Sequence, residues 1–341
     1  MSNNTSTRRD REPPSATAAR GPATSGIARL RSTPGGGLVL AYIALLAFVA
    51  IFDPDLFDVE NLRDMLAQNA GLGIVIVGSA FVIIAGHYDL SVGAVAGLSG
   101  VLFAKLSLEH SVMIAVLVAL LVAIVCGVVN GIVVAVLHVN SFMATFATGL
   151  VFAGLALHYQ GPRQIVVEEA GFDEIGLGSW GPIPVPVVLT VVAFVIGSVV
   201  LHRSPFGQAV YAAGSSREAA RLIGLPVTRT LVMTFALSGL TAGCGGLVIA
   251  SQLGLGSADS GQSLPIEAIA GVVVGGIAVS GGEGRMWQAA LGGLILATLN
   301  NAFIGLSWSP ELQAVAVGLV ILLALGANRL SRAAVPQPGS A

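Results

Sequence analysis

Lysine is almost missing from this chain: Lys105 is the only one in 341 residues. Charge of either sign is scarce too. Asp, Glu, Lys and Arg make up 10% of the sequence, against roughly 25% in an ordinary soluble domain. The phosphate-binding loop G-x-x-x-x-G-K-[S/T] needs a lysine behind a glycine, and Lys105 follows Ala104. The chain is therefore expected to bind no cofactor and to hydrolyse no ATP itself. There are only two cysteines, Cys126 and Cys244, each inside an apolar run. They offer neither a disulfide framework nor a zinc spacing, and read as small buried hydrophobes. The five histidines are scattered, with no pair at helical metal-ligand spacing. No Ser/His/Asp set is recognisable, and no nucleic-acid partner is expected. A G-x-G-x-x-G string at Gly176–Gly181 follows an acidic loop rather than a strand and opens no helix, so it is a coincidence of glycines.

Apolar residues fill the space that charge leaves. They are 55% of the chain, and mean hydropathy is +0.87. A surface of that kind is stable in a bilayer, where a helix needs about 20 apolar residues to cross. The expected fold is an all-α polytopic membrane protein of about ten transmembrane helices. The spans are Leu38–Phe52, Leu66–Ala85, Leu90–Leu106, Val112–Leu137, Phe142–Tyr159, Val185–Leu201, Leu231–Gln252, Ile266–Val279, Trp287–Leu306 and Leu312–Leu325. The first, third, eighth and tenth are short for a full crossing. Residues 1–35, rich in Arg, Ser, Thr and Pro, read as a disordered cytoplasmic tail with no cleavable signal. Residues 36–328 form the membrane domain, and 329–341 a second cytoplasmic tail.

Arginine sets the orientation. With both termini in the cytoplasm, thirteen of the sixteen basic residues fall inside, and only Arg63, Lys105 and Arg163 fall outside. Most acids collect outside, after span one and in a long outer loop at about 160–184, which is expected to hold a short interfacial segment. The long inner loop, about 202–230, carries Ser215-Ser216-Arg217-Glu218-Ala219-Ala220-Arg221-Leu222, then Gly224 and Pro226. Capping serines, strong helix formers and then two breakers predict one short cytoplasmic helix.

Glycine is abundant, 44 residues, and recurs every fourth position at Gly93/Gly97, Gly127/Gly131, Gly239/Gly243 and Gly271/Gly275. Small residues let helices approach closely in lipid; tight packing is the ordinary reading, and helices that slide or line a pathway the functional one. No span carries a mid-membrane carboxylate, which argues against an ion-driven mechanism. The polar groups left inside are Asn130 near the inner end of span four, and Asn300 and Asn301 near the outer end of span nine. Each reads as a helix–helix hydrogen bond or as contact with a passing polar solute. Their inverted placement suggests an inverted repeat of spans two to five and seven to ten.

Gly86-His87-Tyr88-Asp89-Leu90-Ser91-Val92-Gly93 resembles the G-G-I-D-L-S-V-G signature of sugar ABC-transporter permeases of the ribose/xylose/galactose type. The resemblance continues through Phe57 and Asn61-Leu62, Asn130-Gly131, Phe142 with Ala144-Thr145, Phe206–Gly214, Glu218–Gly224, Ser280–Gly284 and Asn300-Asn301. It covers residues 38–326, with His87 and Tyr88 standing where glycine and isoleucine are usual. Glu283 is a second departure, at a position where the family often has a basic or polar residue. The resemblance implies a bacterial inner-membrane permease that pairs with a second copy or a paralogue. Cytoplasmic ATPase subunits, using ATP and Mg, would bind beneath it, and an extracellular binding protein would deliver the sugar. The inner-loop helix would then be a coupling helix that docks on the ATPase through Glu218, Ala219, Ala220, Arg221 and Gly224. Asp89, Ser91 and Gly93 form the signature turn, where Asp89 is expected to cap backbone N–H groups at a helix start rather than to touch sugar. Rival readings are import of a nucleoside, a branched-chain amino acid or a sugar-like signal, an ion-driven secondary transporter, and a membrane scaffold.

Overall fold

The computed structural model describes residues 36–52, 54–309, 312–313, 315–316, 318–319 and 322. Both predicted tails and much of span ten lie outside these residues. In chain order the helices are α1 (Gly36–Phe52), α2 (Val59–Gln68), α3 (Ala70–Ile84), α4 (Val92–Ser107), α5 (Val112–Ala135) and α6 (Ser141–Gln160). There follow α7 (Glu174–Leu177), α8 (Val185–Arg203), α9 (Pro205–Ser215), α10 (Arg217–Leu222), α11 (Val227–Leu253), α12 (Leu264–Val274) and α13 (Met286–Gly305).

Five of these, α5, α6, α8, α11 and α13, are long and apolar enough to cross a bilayer. The α2–α3 pair makes a sixth span bent by 50°. The bend sits at Asn69, whose side-chain amide donates to the Met65 carbonyl at 2.8 Å and so closes the end of α2. Helices α1, α4 and α12 are apolar but shorter. The chain is a multi-pass membrane protein, and a helix occupies each of the first nine predicted spans.

Burial separates helices that composition does not. Every residue of α3 except Gly73 is buried, and α11 is buried along most of its length. These two form the centre of the bundle. Helix α8, also strongly apolar, fully buries only Pro186, Gly197 and Leu201, packs one side against α3 through Thr190 and Phe194, and leaves the other exposed. The repeated glycines sit at the helix crossings. A Cβ at Gly239 of α11 would lie 2.3 Å from the Ala123 carbonyl oxygen of α5, and one at Gly127 of α5 would lie 2.3 Å from that of Phe235. Backbone meets backbone there, as close packing requires.

Span eight departs from its prediction. Its helix, α12, stops at Val274, and at 1.5 Å per residue it is only about 16 Å long. Before it, the chain leaves α11 at Gly254 and runs as non-helical backbone along α4. A Cβ at Gly97 would lie 2.4 Å from the Ala258 carbonyl oxygen, and one at Gly93 would lie 2.2 Å from that of Gly261. Gly256, Ser257, Ala258 and Gly261 are buried in this groove. Polar residues made this stretch read as a loop. Non-helical backbone inside a bundle is tolerated where protein covers it, and the glycines of α4 provide the cover. The strand at its head, β4 (Leu255–Gly256), pairs antiparallel with β1 (Ile165–Val166) of the long loop. That loop also holds α7, the expected short segment, and a two-residue ribbon of β2 (Ser179–Trp180) with β3 (Ile183–Pro184).

Candidate functional site

Three stretches far apart in sequence meet at the arginine-rich face of the bundle: the turn after α3, the α9–α10 junction, and the loop between α12 and α13. They meet on glycine. A Cβ at Gly214 would lie 1.9 Å from the Ile84 carbonyl oxygen and 2.6 Å from the Gly282 nitrogen, and one at Gly281 would lie 2.7 Å from the Gly86 Cα. Gly282 N–H donates to the Ile84 carbonyl at 2.8 Å. Tyr211 of α9 donates its hydroxyl to the Gly284 carbonyl at 2.5 Å, and Tyr88 donates to that of Val279 at 3.4 Å. Gly86 and Gly281, with φ of 79° and 81°, use the left-handed region that glycine enters without penalty.

The inner loop forms two helices where one was predicted. Ser204 caps α9 by accepting from Gly207 N–H at 3.0 Å, with Pro205 in its first turn. Ser216, not Ser215, caps α10, accepting from Ala219 N–H at 3.3 Å. The predicted docking residues divide. Glu218, Ala219, Arg221 and Gly224 are exposed, whereas Ala220 is 2% exposed and packs into the core. Ala220 therefore seats the helix and presents no docking surface. Two residues outside the predicted set are exposed beside it: Leu222 and Ile223 are 88% and 74% exposed. Leu222 is the most exposed large apolar side chain among the described residues. The signal was legible as an apolar pair before a glycine stop in a polar loop.

The signature turn holds the most buried polar cluster. Asp89 is 5% exposed. One carboxylate oxygen accepts from the Ser91 N–H at 3.0 Å and the Ser91 hydroxyl at 2.6 Å; the other accepts from the Ser238 hydroxyl at 2.8 Å. Asn130 donates its amide to Ser91 Oγ at 2.6 Å and accepts from the Thr148 hydroxyl. A single directed series of donors therefore runs from Thr148 on α6 through Asn130 on α5 and Ser91 to Asp89, and Ser238 joins it from α11. Asp89 does serve a backbone N–H ahead of α4, although the cap position itself is held by Ser91. It also lies deeper than its place at a span end implied, because Ser238 is about three turns inside α11. Gly93 contributes packing against Gly261. Asn301 is elsewhere, donating to Asn61 Oδ1 of α2 at 3.2 Å, and Asn300 beside it is half-buried. The structure thus joins Asp89, Ser91 and Asn130 and leaves Asn300 and Asn301 apart. Ser238 and Thr148 were missed, because a lone hydroxyl in an apolar helix usually bonds its own preceding turn.

Residues 61–325 match the family described as branched-chain amino acid transport system, permease component. The chain is 39% identical over 296 residues to the ribose import permease of Bacillus subtilis, covering 86% of this chain and 92% of that one. It is 33% identical over 299 residues to the L-arabinose transport system permease of Escherichia coli, covering 87% and 91%. This chain belongs to the sugar ABC-transporter permeases. It is a transport subunit, not an enzyme. The ribose import permease of Haemophilus influenzae is similar at 35% over 294 residues, covering 85% and 91%. No solved structure gives a significant match.

Proposed function

We propose that the chain is the permease of an ATP-driven importer that carries a monosaccharide, a pentose or hexose, across the bacterial inner membrane by alternating access. Two copies, or one copy and a paralogue, would enclose the pathway. ATPase subunits would bind the arginine-rich face, and an extracellular binding protein would deliver sugar opposite. One observation carries the coupling part of this reading: α10 ends in exposed Leu222 and Ile223, while Ala220 and the glycine junction fix its root. An exposed apolar tip on a rigid root suits docking into a partner's groove. The ribose and arabinose relatives support the choice of sugar.

The reading includes about ten spans with both termini in the cytoplasm. It also includes an inverted repeat, supported by the short helices α4 and α12, each preceded by a non-helical stretch at corresponding places. The family description keeps branched-chain amino acids as a second solute class. The test is reconstitution with the ATPase that co-purifies, following ATP-driven uptake of labelled ribose and arabinose in competition with nucleosides and leucine. Leu222→Glu with Ile223→Glu is expected to reduce uptake more than tenfold and to release the ATPase on purification. Unchanged uptake and retention of the ATPase would remove the docking assignment. Uptake driven by an ion gradient alone would replace the importer with a secondary transporter.

A further inference from the structure

His87 and Arg217 are 130 residues apart in sequence and in contact in the fold: the Arg217 guanidinium donates to the His87 ring. Arg217 is the first residue of α10, where the helix dipole disfavours a cation. Its position therefore calls for a partner elsewhere. A guanidinium can only donate, so the ring nitrogen that receives it must be unprotonated. The ring is 5% exposed and sits edge-on to Phe235 of α11, with centroids 5.9 Å apart. Its backbone N–H donates to the Val82 carbonyl at 3.0 Å, which ties it to the last turn of α3. The ring is held by Arg217 on one side and by α11 on another, and has little room to yield.

We propose, building on the importer reading, that His87 is the positioning residue through which α10 acts on the membrane core. Displacement of α10 moves Arg217, Arg217 moves the turn that carries His87, and the same turn carries Asp89 and Ser91. From there the donor series reaches Asn130 of α5 and Thr148 of α6, and Ser238 of α11. The contact makes this transmission depend on a neutral imidazole. Burial first, and the Arg217 charge second, hold the His87 pKa down to about 4, so the contact persists throughout the neutral range. The other charged or titratable groups around the turn are Tyr88 and Asp89 within it, Cys126 of α5 near Asp89, Tyr211 of α9, Arg221 one turn along α10, and Glu283 and Arg285 in the loop that closes on Gly86. Arg229 at the start of α11 is exposed, and Phe235, which faces the ring from α11, is uncharged.

The experiment measures sugar uptake per ATP hydrolysed in proteoliposomes holding the permease and its ATPase, from pH 5 to pH 8. For the unsubstituted protein a flat ratio is expected. His87→Leu, which accepts no hydrogen bond, should lower the ratio about tenfold while ATP hydrolysis continues. His87→Asn, an acceptor that does not titrate, should restore most of it. Arg217→Leu should lower the ratio as His87→Leu does, and the double variant should be no worse than either single one. Full coupling in His87→Leu would overturn the proposal, as would equal losses in His87→Leu and His87→Asn, which mean lost packing alone. If His87→Leu does not fold, the Arg217→Leu and His87→Asn arms decide. No ATP-driven uptake by the unsubstituted protein overturns the importer reading itself.

Discussion

Two non-helical breaks pack against α4, one ahead of it and one alongside it, and they are held by different balances of contacts. The turn at 85–91 is held by side chains: His87 accepts from Arg217, Asp89 from Ser91 and Ser238, and Ser91 from Asn130. The stretch at 254–263 is held mainly through its backbone: the Ala258 and Gly261 carbonyls lie against the bare backbones of Gly97 and Gly93, β4 pairs with β1, and the Ala258 N–H donates to Gln160 Oε1 at 2.6 Å. A break held by hydrogen bonds can be loosened by one proton or one lost acceptor. A break held by backbone contact responds to volume and is indifferent to charge. The difference goes with their neighbours, since the polar break touches Arg217 of α10 and the steric one lies along α4.

Filling the steric break should do the most damage. Gly97→Val places a Cβ 2.4 Å from a backbone carbonyl oxygen that cannot rotate away. Overpacking of this kind costs about 3 kcal/mol or more. The detergent-purified variant is expected to melt well below the parent at every pH, and an unchanged melting temperature would mean that the 254–263 stretch is not seated as described.

The polar break should respond to acid. The His87 pKa is about 4 in the folded protein and 6.5 when unperturbed. The unfolded chain therefore takes up this proton first as pH falls. Stability due to neutral His87 is intact above pH 6.5 and is lost as pH drops towards 4. At 1.36 kcal/mol per pH unit the loss by pH 5 is about 2 kcal/mol. Thermal melts at pH 7 and pH 5 should show this extra loss in the parent and not in His87→Asn, while Gly97→Val keeps the parental pH dependence. Equal pH dependence of parent and His87→Asn would erase the contrast.

Asp89 gives the smallest effect, and a sharper one. Asp89→Asn keeps an acceptor for the Ser91 N–H and removes a buried charge, so its stability should stay within about 1 kcal/mol of the parent. Asp89→Ala leaves that N–H without its acceptor and should cost about 2 kcal/mol. If denaturant melts rank the two the other way, it is the charge and not the acceptor that organises the turn.

Much of the architecture was legible because a bilayer imposes a coarse rule. Any stretch of sufficient apolar length must satisfy its backbone internally, so the places of the helices in the first nine predicted spans followed largely from hydropathy. Arg217 to Leu222 read as a helix from its cap and its breakers. Which of its faces is exposed did not, since Ala220 and Ala219 are alike in sequence and only packing turns one inward and the other outward. Span eight was read too far along, and the stretch before it, Gly254 to Ser263, has the composition of an exposed loop, yet Gly256, Ser257, Ala258 and Gly261 are buried, in part against the glycines of a helix more than 150 positions earlier.

The sequence by itself determined that this chain lives in a membrane, roughly where its long apolar helices lie, and which family signature it carries. Those are properties of local composition and of ordered short motifs. Only the tertiary structure decided which apolar helices are central, α3 and α11, and which face outward, α8, because an all-apolar helix has no face that marks its neighbour. It also decided what His87 touches. Its partner is 130 residues away, and no local pattern encodes a hydrogen bond made by folding two distant loops onto a shared glycine junction.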